Sequence, residues 1–144
     1  MILGQYTSKL SSQRRTAIPA KFRTFLGKKF IAAQWYEGCL VFVSRTRWEA
    51  LLKRLTGEDH IVTKSIRTTE RFILGSAYEL ESDSQGRVVL PDKLVEFASL
   101  KNEVIFLGLG DRIEIWDKSI WKKQETTVAN QASAHLERAY SNEK

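Results

Sequence analysis

Asp83-Ser84-Gln85-Gly86-Arg87-Val88-Val89-Leu90-Pro91 decides the fold, because the chain contains this stretch twice. The other copy is Ser11-Ser12-Gln13-Arg14-Arg15-Thr16-Ala17-Ile18-Pro19, 72 positions earlier. Each copy reads as a turn, a short strand, and a proline that opens a helix. Asp, Ser and Gly supply the turn. Proline brings a preset φ to the start of a helix, and it is expected to be the first helical residue.

Working outward, the same shift pairs Tyr6 with Tyr78, Ser12 with Ser84, Gln13 with Gln85 and Arg15 with Arg87. It also pairs Lys21 with Lys93, Phe25 with Phe97 and Lys29 with Lys101. One residue further on, Leu40, Phe42 and Trp48 match Ile113, Ile115 and Trp121. An ordered set of this length is an internal repeat.

Both units have one order of elements. In the first, a strand is expected at 5–9, a turn at 11–14, a strand at 15–18 and a helix at 20–26 closed by Gly27. Strands at 30–35 and 39–44 follow, joined at Tyr36-Glu37-Gly38. In the second, the strands are 78–81, 87–90, 103–109 and 112–116, with a helix from Pro91 to Ala98 and a turn at Gly110-Asp111. Trp48, Leu51, Leu52 and Leu55 have helical spacing, as do Ile66, Phe72, Ile73 and Leu74 more loosely, with a break at Gly57-Glu58-Asp59. A polar helix is expected over 122–140, fraying at its end. The divisions are a first repeat at 5–47, connecting helices at 48–76, a second repeat at 77–120 and a C-terminal helical tail at 121–144.

Composition narrows the class. The 144 residues suit one compact unit with a packed core. No stretch is long and apolar enough for a membrane helix, and Met1–Tyr6 lacks the charged and apolar regions of a signal peptide. Cys39 is the only cysteine, so no internal disulfide forms, which fits a reducing cytoplasm. The net charge is +6 and the pI about 9.5. That balance points to an acidic partner such as nucleic acid. The distribution is sharper still. Residues 1–36 contain no Asp or Glu but hold Lys9, Arg14, Arg15, Lys21, Arg23, Lys28 and Lys29.

The two turn-strand-Pro stretches, the Ile113-Glu114-Ile115-Trp116-Asp117 strand end and the Gly4-Gln5-Tyr6 start together resemble the MraZ family. This is the tandem version of the bacterial AbrB/SpoVT-type swapped-hairpin domain, and the likeness covers residues 1–121. The resemblance implies a mainly β, α+β chain whose two swapped-hairpin units form a pseudo-twofold double-split β-barrel. It implies a ring-shaped homo-oligomer. It also implies a nucleoid-associated regulator that binds short direct repeats upstream of its own operon of cell-wall and division genes, usually as a repressor. Two places depart from the family pattern, which has Asp where Ser11 stands and Gly or Asn where Arg14 stands. Ser is a short acceptor that can replace Asp. A side chain at Arg14 costs roughly 1 kcal/mol if φ is positive there. Either Arg14 offsets that cost by gripping phosphate, or the turn simply tolerates it.

The second unit is rich in acids, and an acidic surface repels phosphate. The DNA face is therefore expected on the first unit, at Lys9, Ser12, Gln13, Arg14 and Arg15. Arg15 matches the family's turn arginine, and its fork can hold a phosphate or a guanine edge at two points. Arg87 is expected to pair with Asp83 in its own turn, with a secondary DNA contact as the lesser role. The charge asymmetry also suits docking of one subunit's basic half on the next subunit's acidic half, a head-to-tail contact that closes into a ring when the rotation permits.

No catalytic constellation is visible, and neither a cofactor nor a metal site is expected. His60 and His135 stand apart from any ligand cluster. Cys39 reads as a small buried hydrophobe. Gly108-Leu109-Gly110 reads as a hairpin turn, not a phosphate loop. Trp48 and Trp121 recur at equivalent places and read as core, not as a stacking platform for single strands. The rival reading is an antitoxin-like interaction module in which residues 122–144 wrap a protein partner.

Overall fold

The computed structural model describes residues 1–57 and 62–142. The expected break at Glu58-Asp59, together with His60, falls outside the described residues, as do Glu143 and Lys144.

The first unit supplies β1 (Ile2–Lys9), β2 (Arg15–Ala17), α1 (Ala20–Leu26), β3 (Lys29–Gln34) and β4 (Leu40–Ser44). Two helices follow, α2 (Arg45–Thr56) and α3 (Lys64–Ile73). The second unit supplies β5 (Tyr78–Glu81), β6 (Arg87–Val89), α4 (Asp92–Phe97), β7 (Glu103–Gly110) and β8 (Ile113–Asp117), and α5 (Lys118–Asn142) ends the chain. The mixed α+β class read from the sequence is the class observed.

The strands pair across the units. A six-stranded sheet has the order β1-β7-β8-β4-β3-β5, and β2 and β6 form a separate two-stranded ribbon. Exchanging each strand for its repeat turns that order into its own reverse. The units are therefore related by a pseudo-twofold, with each first strand given to the other unit's hairpin. Each unit thus depends on the other for a sheet edge, and neither forms a closed sheet alone.

Period-two alternation buries both faces of the large sheet. Phe30, Ala32, Leu40, Phe42, Phe106, Ile113 and Ile115 point to one side, where they meet the ribbon, Phe22 and Leu26 of α1 and Leu94 of α4. Ala33, Val41, Val43, Ile105 and Trp116 point to the other, where they meet Leu51 of α2, Ile73 of α3 and Trp121 of α5. Burying a side chain such as Phe30 or Phe42 contributes about 1.5–3 kcal/mol, so the two-sided core dominates the fold.

Several boundaries differ from the sequence reading. β1 begins at Ile2 because it pairs with β7 along its whole length, Ile2 opposite Gly110 and Lys9 opposite Glu103. Pro19 and Pro91 precede their helices rather than opening them. Both have φ near −55° but extended ψ, and each carbonyl accepts the N–H three residues on. Lys29 is not the equivalent of Lys101. Phe30 faces Leu80, whereas Val104 faces Ser8, so Lys29 corresponds to Glu103 and the second unit has two extra residues before Asn102, whose carbonyl accepts the Leu10 N–H as Lys28's accepts that of Ser82. Gly108 lies within β7 opposite Gly4, where a Cβ would sit 3.0 Å from the Leu3 nitrogen. The close crossing of β1, not a turn, requires glycine there. The final helix starts at Lys118, four residues early, because Asp117 caps it through the N–H groups of Ser119 and Ile120.

Candidate nucleic-acid interface

The β2–β6 ribbon carries a turn at each end. Arg15 faces Val89 and Ala17 faces Arg87, so Thr16 and Val88 are buried while both arginines stand on the exposed face. The turn before β2 (residues 11–14) and the turn before β6 (residues 83–86) lie at opposite ends of that face.

The second turn is self-contained. The Asp83 carboxylate accepts the backbone N–H groups of Gln85 and Arg87 at 2.9 Å, and Nε of Arg87 at 2.9 Å. The Arg87 N–H, foremost among these bonds, holds the Asp83 carboxyl below the usual carboxylate range. Arg87 is thus matched by a charge four residues away.

The first turn has the same backbone and a different charge. The Ser11 hydroxyl accepts the Arg15 N–H at 3.1 Å, so Ser11 does part of the work of Asp83 without its charge. Among the described residues, the Arg15 guanidinium has no hydrogen-bond or ion partner. Ser12, Gln13, Lys9 and Arg15 are all exposed. Lys9, Gln13 and Arg15 line one open cavity of about 530 Å³, into which Arg87 reaches from the other end of the ribbon.

Arg14 is only half-exposed. Its φ is 63°, against 76° for the equivalent Gly86. It grips the opposite unit twice: its carbonyl accepts the Leu90 N–H at 2.8 Å, and its Nε donates to the Leu90 carbonyl at 3.0 Å. The structure thus brings Lys9, Gln13 and Arg15 together around one cavity, leaves Ser12 exposed in the same turn, and ties Arg14 to the opposite unit.

Arg23 escaped the sequence reading. It lies across Gly86 and donates Nε to the Ile18 carbonyl at 2.8 Å. One signal for it was legible. Where the first unit has Arg14 and Arg23, the second has Gly86 and Val95, so the two arginines differ between the units together.

The other candidate chemistries are answered by burial. Cys39 is fully buried, its Sγ donates to the Tyr36 carbonyl at 3.3 Å, and desolvation pushes its thiol far up. A thiol held in the protonated form is a poor nucleophile. Trp35, Trp116 and Trp121 are buried and Trp48 packs partly buried against them, so their faces are not offered to bases. His135 is exposed on α5. Among the described residues, no group of three or more His, Cys, Asp and Glu is placed to hold a metal ion, and no helix is long and apolar enough to cross a membrane.

Known proteins share this sequence. The model of the family described as "MraZ protein, putative antitoxin-like" matches residues 73–143. A protein of Halothermothrix orenii named transcriptional regulator MraZ is 41% identical over 121 residues, 84% of each chain. Proteins of the same name from Caldanaerobacter subterraneus and Leuconostoc mesenteroides are each 38% identical, over 85% and 90% of both chains. Likeness of that depth over more than four-fifths of each chain shows the family, and on it the chain belongs to the MraZ family.

Proposed function

We propose that this chain is a DNA-binding transcriptional regulator and not an enzyme, reading duplex DNA with its first turn. The carrying observation is the contrast between the turns. One backbone is built twice, yet among the described residues only the first turn's arginine is left without an ion pair, since Ser11 stands where Asp83 holds Arg87. Arg15, Lys9, Ser12 and Gln13 make the contacts, and Arg14 braces the loop that carries them. Arg87, held by Asp83, is chiefly a structural member of its turn, with a secondary DNA contact as its lesser role. The name carried by the related proteins supports the same reading.

The finer reading follows the family resemblance. The units at 5–47 and 77–120, linked by 48–76 and followed by the tail at 121–144, make a double-split barrel. Subunits assemble into a ring that presents several first turns to short direct repeats upstream of the chain's own cell-wall and division operon. One small turn binds weakly, and repetition on a ring raises affinity through effective concentration. The setting is the cytoplasm and nucleoid, and the usual outcome is repression.

The test is duplex binding to the DNA upstream of its own gene, wild type beside Arg15→Ala, across a salt series. Specific binding that weakens with salt and collapses in the variant is expected. No binding at low salt would remove the reading.

A second reading has one observation in its favour. α5 runs for 25 residues with Val128 and Leu136 exposed, and the family description includes "antitoxin-like". An interaction module would use this helix to hold a protein partner. Deleting residues 122–144 separates the two: the regulator keeps its DNA binding, whereas the interaction module loses its partner.

A further inference from the structure

The cavity at the first turn continues beyond it. A second open cavity of about 380 Å³ begins at Ser8 and Ala17, which also line the first, and reaches Lys21 and Arg23 at the start of α1. Together they form one furrow between β1 and β2, running the length of β2. No Asp or Glu lines either part. The Ser8 hydroxyl donates to the Ala17 carbonyl at 2.8 Å and fixes the floor. The Lys21 ammonium stands 5.8 Å above the Tyr6 ring, itself braced edge-on by Phe22, so this cation is held at the furrow's far end.

The fold does not require an acid-free furrow, and the second unit, which keeps Lys21 as Lys93, is the control. At the same places Thr7 becomes Glu79, Lys9 becomes Glu81, Ser11 becomes Asp83, Ala20 becomes Asp92 and Arg23 becomes Val95. Glu81 and Asp83 line the cavity on that side, which Arg15 and Lys28 of the first unit also border. Four furrow places that are neutral or basic in the first unit carry acids in the second, so the acid-free furrow is a choice of surface and not a demand of packing. An acid-free channel with cations at both ends, leading away from a base-reading turn, fits a phosphodiester backbone, because phosphate contacts set register while the turn reads the sequence.

We infer that one DNA strand's backbone lies in this furrow and that Lys21 is a further phosphate contact at its α1 end. The inference rests on the regulator reading above and extends its contact surface.

The experiment measures anisotropy of a labelled duplex from upstream of the chain's own gene across a salt series, with the full-length protein. Lys21→Gln and Ala20→Asp are compared with wild type and Arg15→Ala. Ala20 is exposed, and Asp92 occupies its place in the second unit, so Ala20→Asp leaves the thermal midpoint unchanged. Lys21→Gln is expected to lower the slope of log affinity against log salt by about one, and Ala20→Asp to weaken binding about tenfold. Wild-type affinity and slope in both furrow variants, with binding lost in Arg15→Ala, overturns the furrow and leaves the regulator reading standing. The reverse pattern keeps the furrow and moves the reading away from the turn. Tighter binding of the corresponding single strand overturns the duplex track.

Discussion

Arg14 and Arg23 donate their Nε–H groups to equivalent carbonyls in the two units, Leu90 at 3.0 Å and Ile18 at 2.8 Å. They arrive from different places. Arg23 comes from α1 of the same unit and lies over Gly86 of the opposite turn. A Cβ on Gly86 would stand 2.1 Å from its Nε, so a side chain there would push the Arg23 guanidinium off the Ile18 carbonyl. At the other end Val95 replaces Arg23, nothing equivalent crosses the turn, and the turn's own Arg14 supplies the guanidinium. Each ribbon end thus has one arginine clamp, and the unfamiliar residue at position 14 is one half of a two-residue exchange.

This exchange predicts a change of sign. Arg14→Gly relieves a positive φ worth roughly 1 kcal/mol but gives up a hydrogen bond of about 0.5–1.5 kcal/mol, so it shifts stability by no more than about 1 kcal/mol. Val95→Arg in the wild type brings a second guanidinium to an occupied carbonyl and destabilises. In the Arg14→Gly background the same substitution recreates the Arg23 arrangement and stabilises. Urea denaturation of the four proteins checks this; a Val95→Arg effect of one sign in both backgrounds would sink it.

Glu114 gives a pH prediction. It is buried, it accepts Trp116 Nε1 at 3.0 Å, and desolvation raises its carboxyl above the ordinary range. A raised folded value means the native state favours the protonated form. The stabilising contribution is full below the unfolded value, near 4.5, and is lost as pH rises through the folded value. Glu114→Gln keeps an acceptor for Trp116 and removes the buried charge. The variant is expected to be more stable than wild type at pH 7, with the gap shrinking as pH falls toward 4. Thermal midpoints across that range measure it, and a gap that widens toward acid contradicts the assignment.

Much of this was written in the chain. The repeat, the turn-strand-Pro unit, the structural role of Asp83 and the core places of Trp48 and Trp121 follow from residue types and spacing. The exchange of first strands does not, because a pairing between β1 and β7 is a choice among distant partners with similar alternation. The shift of Lys29 from Lys101 to Glu103 was hidden for a related reason. Two extra residues before Asn102 leave the polarity pattern intact, and only the register with β1 reveals them. The longer connection is held by the Lys101 N–H, which reaches the buried Asp117 carboxylate. At the site, Lys9, Gln13 and Arg15 were legible as cations and polar groups near a turn. The Arg23 clamp needed the opposite unit in place above Gly86.

The charge on Asp83 separates the two turns, and removing it should make the second resemble the first. Asp83→Asn keeps a side-chain oxygen for the N–H groups of Gln85 and Arg87, so the turn retains its shape. It loses the ion pair with Arg87 at 2.9 Å and with it the acid that masks this arginine from phosphate. Arg87 already reaches the cavity that Arg15 lines. The variant is expected to bind duplex DNA a few-fold more tightly at low salt and to show a slope against salt steeper by up to one, as one more cation displaces condensed counterions. Its stability should also lose less than the wild type's on acidification below about pH 4. A carboxyl held low in the folded state contributes above its unfolded value and stops contributing as pH falls through the lower folded one. Unchanged DNA affinity together with the altered acid response would mean that Arg87 serves its own turn alone and that the masking acid has no bearing on DNA.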